Sequence, residues 1–582
     1  MRSTSCSWRG VTERSRILYG AVAAVCWVLL CVRFFDAAAP LRPRVMEAVP
    51  SALLAVLLAV ALAAWAWSRR ASALSEERSR DSGMWMVVAL SILFRLPMAW
   101  QGAAAYVTAD GALSGIMALD VRDGRAHDVF VPHVPYSGSL KAILTAPLAA
   151  LIDPARAFAL VSVLFYAAFA AAVYRLAAAT DPAPPGRSPS PRGLAAGLFT
   201  AFSPAFVTRY SLSNDGNYVE VLALGTWALV FALHWVDEPA RRSRWALAVG
   251  LLVGLAFWCH ILAVIPAVAI AVFLLLASPR DAALAAPPAL LGFALGDLPG
   301  LLWNAANGWE SFAYLLPGIT SSSSSSPVPS AGKAWRLLSD QLPVLLGYDF
   351  GYPSGLDYAL KAMACLALAA SAFGLVRAAR AARGERGRAW RLMLVFTAVN
   401  FGIAWLALPY IPGNPRYLLF LMAPVPVLLA EALSGRIGRV VLVAVIATGA
   451  LASLAQAGGA READRQWRGF VGGLRAEGVR ACYTDFYLAT KINFLSGGSV
   501  TCSAKLGPTT TEYFFRFRDA VDAAPEAAFV AVNQAAAEKL ERRLERLGVL
   551  YERRDLMKPV LLRLSRKVGP EELFPDRTFP LR

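Results

Sequence analysis

Between Tyr106 and Lys141 lies an unusual density of polar side chains for so apolar a chain: Tyr106-Val-Thr-Ala-Asp110-Gly111, then Asp120, Asp123, His127, Asp128, His133, Tyr136 and Lys141. Two of the four histidines are here. The chemistry such a group could do turns on a carboxylate. Asp110 follows an apolar run and precedes two segments with apolar residues at helical spacing: Leu113, Ile116, Met117 and Val121, then Leu140, Ile143, Leu144, Leu148 and Leu151. That spacing predicts two amphipathic helices on a membrane surface, with Asp110 at the lipid–water boundary. A carboxylate there can act as a general base, within reach of an acceptor hydroxyl and partly sheltered from water. The plainer alternative is that Asp110 caps the helix begun by Gly111-Ala-Leu113.

The elements that must position these residues are membrane helices. Of 582 residues, 57% are apolar and 17% charged, against about 25% charged in soluble domains, which excludes a water-soluble protein. Apolar runs of spanning length predict about thirteen helices, near 17–35, 47–67, 84–100, 156–178, 193–208, 218–236, 245–259, 261–278, 283–303, 357–376, 391–408, 417–433 and 439–456. The fold class expected is a mostly α polytopic bundle with a small α/β domain at its C-terminal end. The net charge of +17 does not point to nucleic acid, because the arginines cluster between apolar runs, as on the cytoplasmic side of membrane proteins. With the N-terminus inside, Arg69, Arg70, Arg78 and Arg80, then Arg187 and Arg192, Arg241 to Arg244, Arg380 to Arg391, and Arg436 and Arg439 all fall in the cytoplasm. Residues 17–34 are read as a retained helix, longer than the usual apolar core of a signal peptide; the alanines 37–39 carry the alternative of cleavage.

This topology predicts an N-terminal segment 1–83 with two additional helices, a core 84–456 with outer loops 101–155 and 304–356, and an extracytoplasmic domain 457–582, all in the inner (plasma) membrane. Ser321 to Ser326 with Pro327, Pro329 and Gly332 reads as a mobile loop, a plain linker in preference to a lid. Beyond 457, strands are predicted at Val479–Thr484, Val500–Ser503, Ala528–Val532, Leu550–Arg553 and Val560–Leu564. A helix is expected between Asn533 as cap and Gly548, with Leu540, Leu544 and Leu547 as its stripe. Cys482 and Cys502 fall on the first two strands, where an oxidising compartment permits a bridge. No Cys/His spacing suggests structural zinc.

The run Thr108-Ala-Asp110-Gly-Ala-Leu-Ser-Gly-Ile-Met-Ala-Leu119, then Val134-Pro-Tyr136-Ser-Gly138-Ser139-Leu140 with Ala146-Pro147, resembles the GT-C glycosyltransferases related to bacterial protein mannosyltransferases and aminoarabinose transferases. Ser203-Pro204, Gly216-Asn-Tyr218-Val-Glu220, Gly254-Leu-Ala-Phe-Trp258-Cys-His260, Gly292 to Pro299 with Asn304, and Pro415-Arg416-Tyr417 follow in the family's order. The likeness covers roughly residues 84–430. It implies transfer of a sugar from a polyprenyl-phosphate donor, with inversion, to a lipid, glycan or protein acceptor outside the cytoplasm, Asp110 being the matching catalytic base. Arg416 is the first candidate for the departing phosphate, since a guanidinium offers forked donors; snorkelling to lipid headgroups is its plainer role. Arg209 is the second. His260 is a candidate for substrate, phosphate or a metal, and Tyr136, Tyr218 and Glu220 for the sugar.

Two departures stand against the pattern. Relatives often carry a second acid where this chain has Gly111, and Glu where it has Lys141. Asp120, Asp123 and Asp128 are the candidate accessory acids. A divalent cation could use Asp110, one of these acids or His260, though no spacing requires it. Arg95, inside a predicted helix, could bind phosphate or pair with an acid, and Asp297 could pair with an interior arginine. No Asp-x-Asp or Walker pattern points to a nucleotide sugar. The readings from other classes are a transporter or flippase for a lipid-linked or small solute, and a catalytically silent scaffold.

Overall fold

A computed structural model describes Val22 and residues 82–575, except 126–127, 182–188, 214–215, 314–329, 349–353, 385–386, 508–511 and 557–558. The expected helices at 17–35 and 47–67, His127 and the serine run lie outside the described residues. The helices that matter below are α1 (Ser82–Gln101), α2 (Ala109–Arg122), α3 (Leu140–Ala149), α4 (Pro154–Ala178), α5 (Pro191–Ala201), α6 (Ala205–Tyr210), α7 (Tyr218–Asp237) and α8 (Arg242–Cys259). They continue with α9 (Val264–Ala277), α10 (Pro279–Gly296), α11 (Leu298–Ala306), α12 (Ser354–Ala381), α13 (Arg388–Leu406), α14 (Val425–Ala432) and α15 (Arg436–Ala476). A hairpin of β1 (Phe130–Val131) and β2 (Val134–Gly138) sits between α2 and α3.

Among the described residues seven helices are long and apolar enough to cross a bilayer, or eight if α10 and α11, bent by 76°, form one span. The protein is an integral membrane protein. Helices α4 and α7 are mostly buried and form the centre. On the perimeter Leu93, Leu284, Leu290, Phe373, Val440 and Val443 are exposed. Such a belt is stable only against lipid.

Besides 283–303, which bends at Asp297 between α10 and α11, two predicted spans are broken. The run 193–208 divides into α5 and α6, because Pro204 has no N–H to donate and disfavours helical geometry at Ser203. Arg95 satisfies the freed groups. Its guanidinium donates to the Ala201 carbonyl (2.6 Å), Ser203 Oγ (2.7 Å) and Ser211 Oγ (2.6 Å), and lies 3.9 Å from the Tyr166 ring centroid. It therefore meets neither a phosphate nor an acid. The run 417–433 begins as a 3-10 helix, Arg416–Met422, before α14.

Close backbone packing fixes α8 against α10. A Cβ added at Gly250 would lie 1.9 Å from the Ala289 carbonyl oxygen, and one at Gly292 would lie 2.2 Å from that of Leu247. Gly254 and Gly296 repeat the arrangement one turn on. Two small-xxx-small stripes thus face each other, the means by which membrane helices gain contact without a hydrophobic driving force.

Helix α15 has 41 residues, about 60 Å at 1.5 Å per residue, twice the roughly 30 Å hydrocarbon core. It runs through residue 457 without a break and carries the C-terminal domain. Near its exit Asp464 accepts from the Ala104 N–H (2.7 Å), and Arg468 makes a forked pair with Asp153 (2.9 and 3.0 Å). The domain holds β3 (Ala481–Tyr483), α16 (Phe486–Leu495), β4 (Thr501–Ser503), α17 (Phe515–Ala523), β5 (Ala528–Ala531), α18 (Gln534–Arg546), β6 (Tyr551–Asp555) and β7 (Val560–Leu564). Strand order is β4-β3-β5-β7-β6; the first three are parallel, and β7 runs antiparallel to both of its neighbours, β5 and β6. Each predicted strand is present. Cys482 and Cys502 are paired neighbours on β3 and β4 and form a disulfide. Asn533 caps α18 through the Ala536 N–H (2.9 Å), and Leu540 and Leu544 are buried, but Leu547 is exposed because α18 ends before it.

Candidate functional site

A cavity of about 330 Å³ opens where α2, the hairpin, α7, the α8–α9 turn and the Arg416 segment meet. Asp110, Tyr136, Tyr218, His260 and Arg416 all line it, together with Tyr417 and Tyr513. Five residues expected to share a site from sequence, spread over some 300 positions, are therefore brought together.

Asp110 stands in the first turn of α2. Thr108 is the cap, accepting from the Gly111 N–H (3.1 Å), so Asp110 does not perform the capping duty that its sequence context suggests. The partial positive charge of a helix N-terminus favours an anionic group there. The rest of α2 to Val121 is buried, whereas Asp110 is exposed to the cavity. The amphipathic surface helix expected here is in fact enclosed: Gly115 packs on Phe494 of α16, and the C-terminal domain covers the face that lipid headgroups were expected to meet.

One side chain aligns the opposite wall. Asn217 Nδ2 donates to Ser137 Oγ (3.2 Å), the Gly138 carbonyl (2.8 Å) and the Cys259 carbonyl (3.0 Å), tying the hairpin, the start of α7 and the end of α8 together. Asn217 itself has φ of +59°, a left-handed conformation that Asn tolerates better than most residues. Gly138 permits the approach, since a Cβ there would lie 2.0 Å from the Trp258 carbonyl oxygen. Sequence reading passed over Asn217 as a site residue; the Gly216-Asn217 pair ahead of an apolar run was the available signal.

His260 sits in extended conformation between α8 and the next helical turn, bridged to Ser137. Its Nδ1 accepts from the Leu262 N–H (3.1 Å). Burial, then the nearby Arg416 charge, lowers its pKa to about 3. The ring is therefore neutral at physiological pH, with its proton on Nε2 available to donate. Tyr136 and Tyr218 pack on it at 5.4 and 5.2 Å between centroids.

Arg416 opens its 3-10 helix after Pro415 and donates to Tyr417 Oη (3.0 Å). Its backbone N–H meets Asn414 Oδ1 (3.3 Å), which also accepts from Tyr210. No carboxylate pairs with Arg416 among the described residues, and its buried Nε has no hydrogen-bond partner there. A half-buried guanidinium in this state is costly unless an anion completes it.

The remaining candidates do not line this cavity. Glu220 is buried in α7 as an ion pair with Lys141 (3.3 Å), which also donates to Ser162 and lies 4.4 Å from the Phe158 ring. The two charges neutralise each other behind the cavity wall. Asp120, at the far end of α2, is held by Arg125 (2.8 Å) and by Arg516 of the C-terminal domain (2.6 Å). Asp123 pairs with Arg122 (2.6 Å) and Arg125 (2.8 Å), and these partners keep its carboxyl below the usual range. Asp128 and Arg209 are exposed elsewhere. Asp297 is buried at the α10–α11 bend, with neither carboxylate oxygen hydrogen-bonded among the described residues and no arginine beside it. No group of three or more His, Cys, Asp or Glu among the described residues is placed to hold a metal ion.

The described residues thus form a helical membrane bundle with a bent pair of helices and a polar cavity beside a small α/β domain. The fold is similar to that of ArnT from Cupriavidus metallidurans in the apo state, with a TM-score of 0.54 and 14% identity over 82% of this chain and 97% of that one. The same protein bound to undecaprenyl phosphate gives a TM-score of 0.51 and 12% identity over the same shares. The archaeal oligosaccharyltransferase AglB from Archaeoglobus fulgidus, in complex with an inhibitory peptide and a dolichol-phosphate, matches with a TM-score of 0.46 and 12% identity over 77% of this chain and 69% of that one. Residues 141–299 match the family described as dolichyl-phosphate-mannose-protein mannosyltransferase. No curated protein matches the chain. The chain thus shares its fold with the ArnT structures, and residues 141–299 carry the match to that mannosyltransferase family.

Proposed function

We propose that the chain transfers one sugar from a polyprenyl phosphate to a hydroxyl of an extracytoplasmic acceptor, with inversion at the anomeric carbon. Asp110 takes the acceptor's proton. The acceptor oxygen bonds to the anomeric carbon as the bond from that carbon to the phosphate oxygen breaks, its electron pair leaving on the phosphate. Arg416 meets the charge that develops there, and His260 Nε2–H with the Tyr136 and Tyr218 phenols orients sugar hydroxyls. The observation that carries this reading is that Asp110 and the uncompensated Arg416 line one cavity. Similarity to a protein crystallised with undecaprenyl phosphate supports the donor class.

In the same reading the N-terminus is cytoplasmic and the cavity and C-terminal domain face outward, in the inner membrane. The Cys482–Cys502 disulfide suits an oxidising compartment. Arg192, Arg377 and Arg388, paired with Glu431 and Asp237 at the other end of the bundle, suit a cytoplasmic face. Lys141 does not argue for lost activity, because Glu220 neutralises it outside the cavity. The test is incubation of the reconstituted protein with polyprenyl-phosphate sugars and envelope acceptors. Release of polyprenyl phosphate with an inverted product is expected; unchanged donors across the hexose and pentose series contradict the reading.

A further inference from the structure

The C-terminal domain carries a second cavity, of about 410 Å³, that the transfer chemistry leaves unused. It opens at the carboxyl ends of the parallel strands, with walls that include Asp485 after β3, Gly507 after β4 and Val532 after β5. β3 is central: the chain leaves it on one side to form β4 and returns on the other to form β5. Loops diverge at such a reversal, and the crevice left between them is where open α/β sheets bind ligands. The volume falls within the range of about 300–1,000 Å³ typical of small-ligand sites.

Its charges are arranged for a particular chemistry. Lys539, Arg542, Arg543 and Arg546 recur at helical spacing along α18 and share the face that lines the crevice. Arg543 is engaged, donating to the Leu573 carbonyl beside the Phe574 ring. Lys539, Arg542 and Arg546 have no ion pair among the described residues, the neighbouring Glu541 being taken by Arg553. Facing them is one acid. Asp485 Oδ1 caps α16 through the Tyr487 and Leu488 N–H groups (2.8 and 3.3 Å), while its Oδ2 is buried without a hydrogen-bond partner among the described residues. That oxygen needs a donor, yet an ammonium would be repelled by the three cations. A neutral hydroxyl carried by an anion satisfies both.

We infer that this crevice binds an acidic saccharide, its carboxylate or phosphate held by Lys539, Arg542 and Arg546 and a hydroxyl donating to Asp485 Oδ2. A chain of side chains links this crevice to the cavity that holds Asp110. Phe486, the residue after Asp485, packs on Tyr513 with ring centroids 5.1 Å apart, and Tyr513 lines that other cavity. A saccharide held here is therefore delivered beside Asp110 as the acceptor. That last step rests on the proposed transfer, whereas the binding does not.

The experiment is titration of the purified full-length chain, in nanodiscs of phosphatidylcholine, with a uronic acid trisaccharide, its carboxyl-reduced neutral counterpart and inorganic phosphate. The acidic saccharide is expected to bind at least tenfold tighter than either of the others. Arg542→Glu with Arg546→Glu, on exposed positions, is expected to weaken it tenfold or more. Asp485→Asn, which keeps the helix cap, is expected to weaken the saccharide and leave phosphate binding unchanged. Asp110→Asn is expected to leave all three affinities as they are, so lost transfer with intact binding separates failure of the catalytic reading from failure of this one. Equal affinity for the acidic and neutral saccharides, phosphate bound as tightly as the saccharide, or indifference to the double substitution overturns the inference.

Discussion

Arg95 and Arg416 are two guanidiniums that the same bundle treats in opposite ways. Arg95 is wholly buried, and each of its nitrogens has a protein oxygen as partner at a break between two helices. Arg416 keeps a buried Nε without a partner and has no carboxylate beside it among the described residues. A saturated cation fixes structure, whereas an unsaturated one waits for a ligand. The two ends of α2 differ in exposure. Asp120 is clamped by Arg125 and Arg516, while Asp110 is presented to the cavity.

The comparison breaks if the two arginines respond alike to removal. Arg95→Met removes the donors that close the α5–α6 break, and a buried polar group left without its partner, such as the Ala201 carbonyl, costs about 1–3 kcal/mol. The expected outcome is a large fall in thermal stability and in yield of folded protein. Arg416→Ala is expected to leave thermal stability near that of the parent and to lower kcat/KM by about 10²–10³-fold, as for loss of one donor to a developing anion. Arg416→Lys should recover only part, since the fork is lost. A stability loss at Arg416 matching that at Arg95 would remove the distinction.

Smaller effects sharpen it. Arg516→Ala leaves Asp120 with Arg125, and with Arg516 about 40% exposed the expected cost is about 1 kcal/mol or less, with turnover nearly unchanged. A loss of turnover of the Arg416 size there would mean that Asp120 takes part in the reaction. The C-terminal domain also carries two groups pushed by burial towards neutrality: Glu512 is raised to about 7 and Lys491 lowered to about 7. From the ordinary carboxyl range up to about pH 7 the folded domain holds a proton on Glu512 that the unfolded chain has lost, so stability falls as pH rises. From about 7 towards the ordinary lysine range the unfolded chain holds a proton that folded Lys491 has lost, so stability rises. A minimum near pH 7 is expected in the protection of β3–β5 amides from hydrogen exchange, after correction for the intrinsic rate. Monotonic behaviour through that range contradicts the burial of one of the pair.

Much of this was legible in the sequence because it is local. Alternating short strands, the Asn533 cap and the apolar spans follow from periodicity and end signals within a few residues. Asp110, Tyr218, His260 and Arg416 each lie at a helix end or turn, with Tyr136 on the hairpin, and the positive-inside pattern predicts these positions on one side. What escaped depends on partners remote in the chain. The Lys141–Glu220 pair spans 79 positions and the Asp120–Arg516 pair 396, so neither carboxylate's occupation could be read from its neighbours. The breaks at Ser203-Pro204 and Pro424 were masked because apolar residues continue on both sides. The enclosure of α2 arises from α16, which lies nearly 400 positions away.

The most direct test of the central claim is turnover of Asp110→Asn in the reconstituted protein, with a defined polyprenyl-phosphate sugar and acceptor and with donor binding measured in parallel. Donor affinity is expected to hold and turnover to fall by about 10²–10⁴-fold, the usual worth of a positioned general base. Undiminished turnover with the carboxylate replaced by an amide would contradict it.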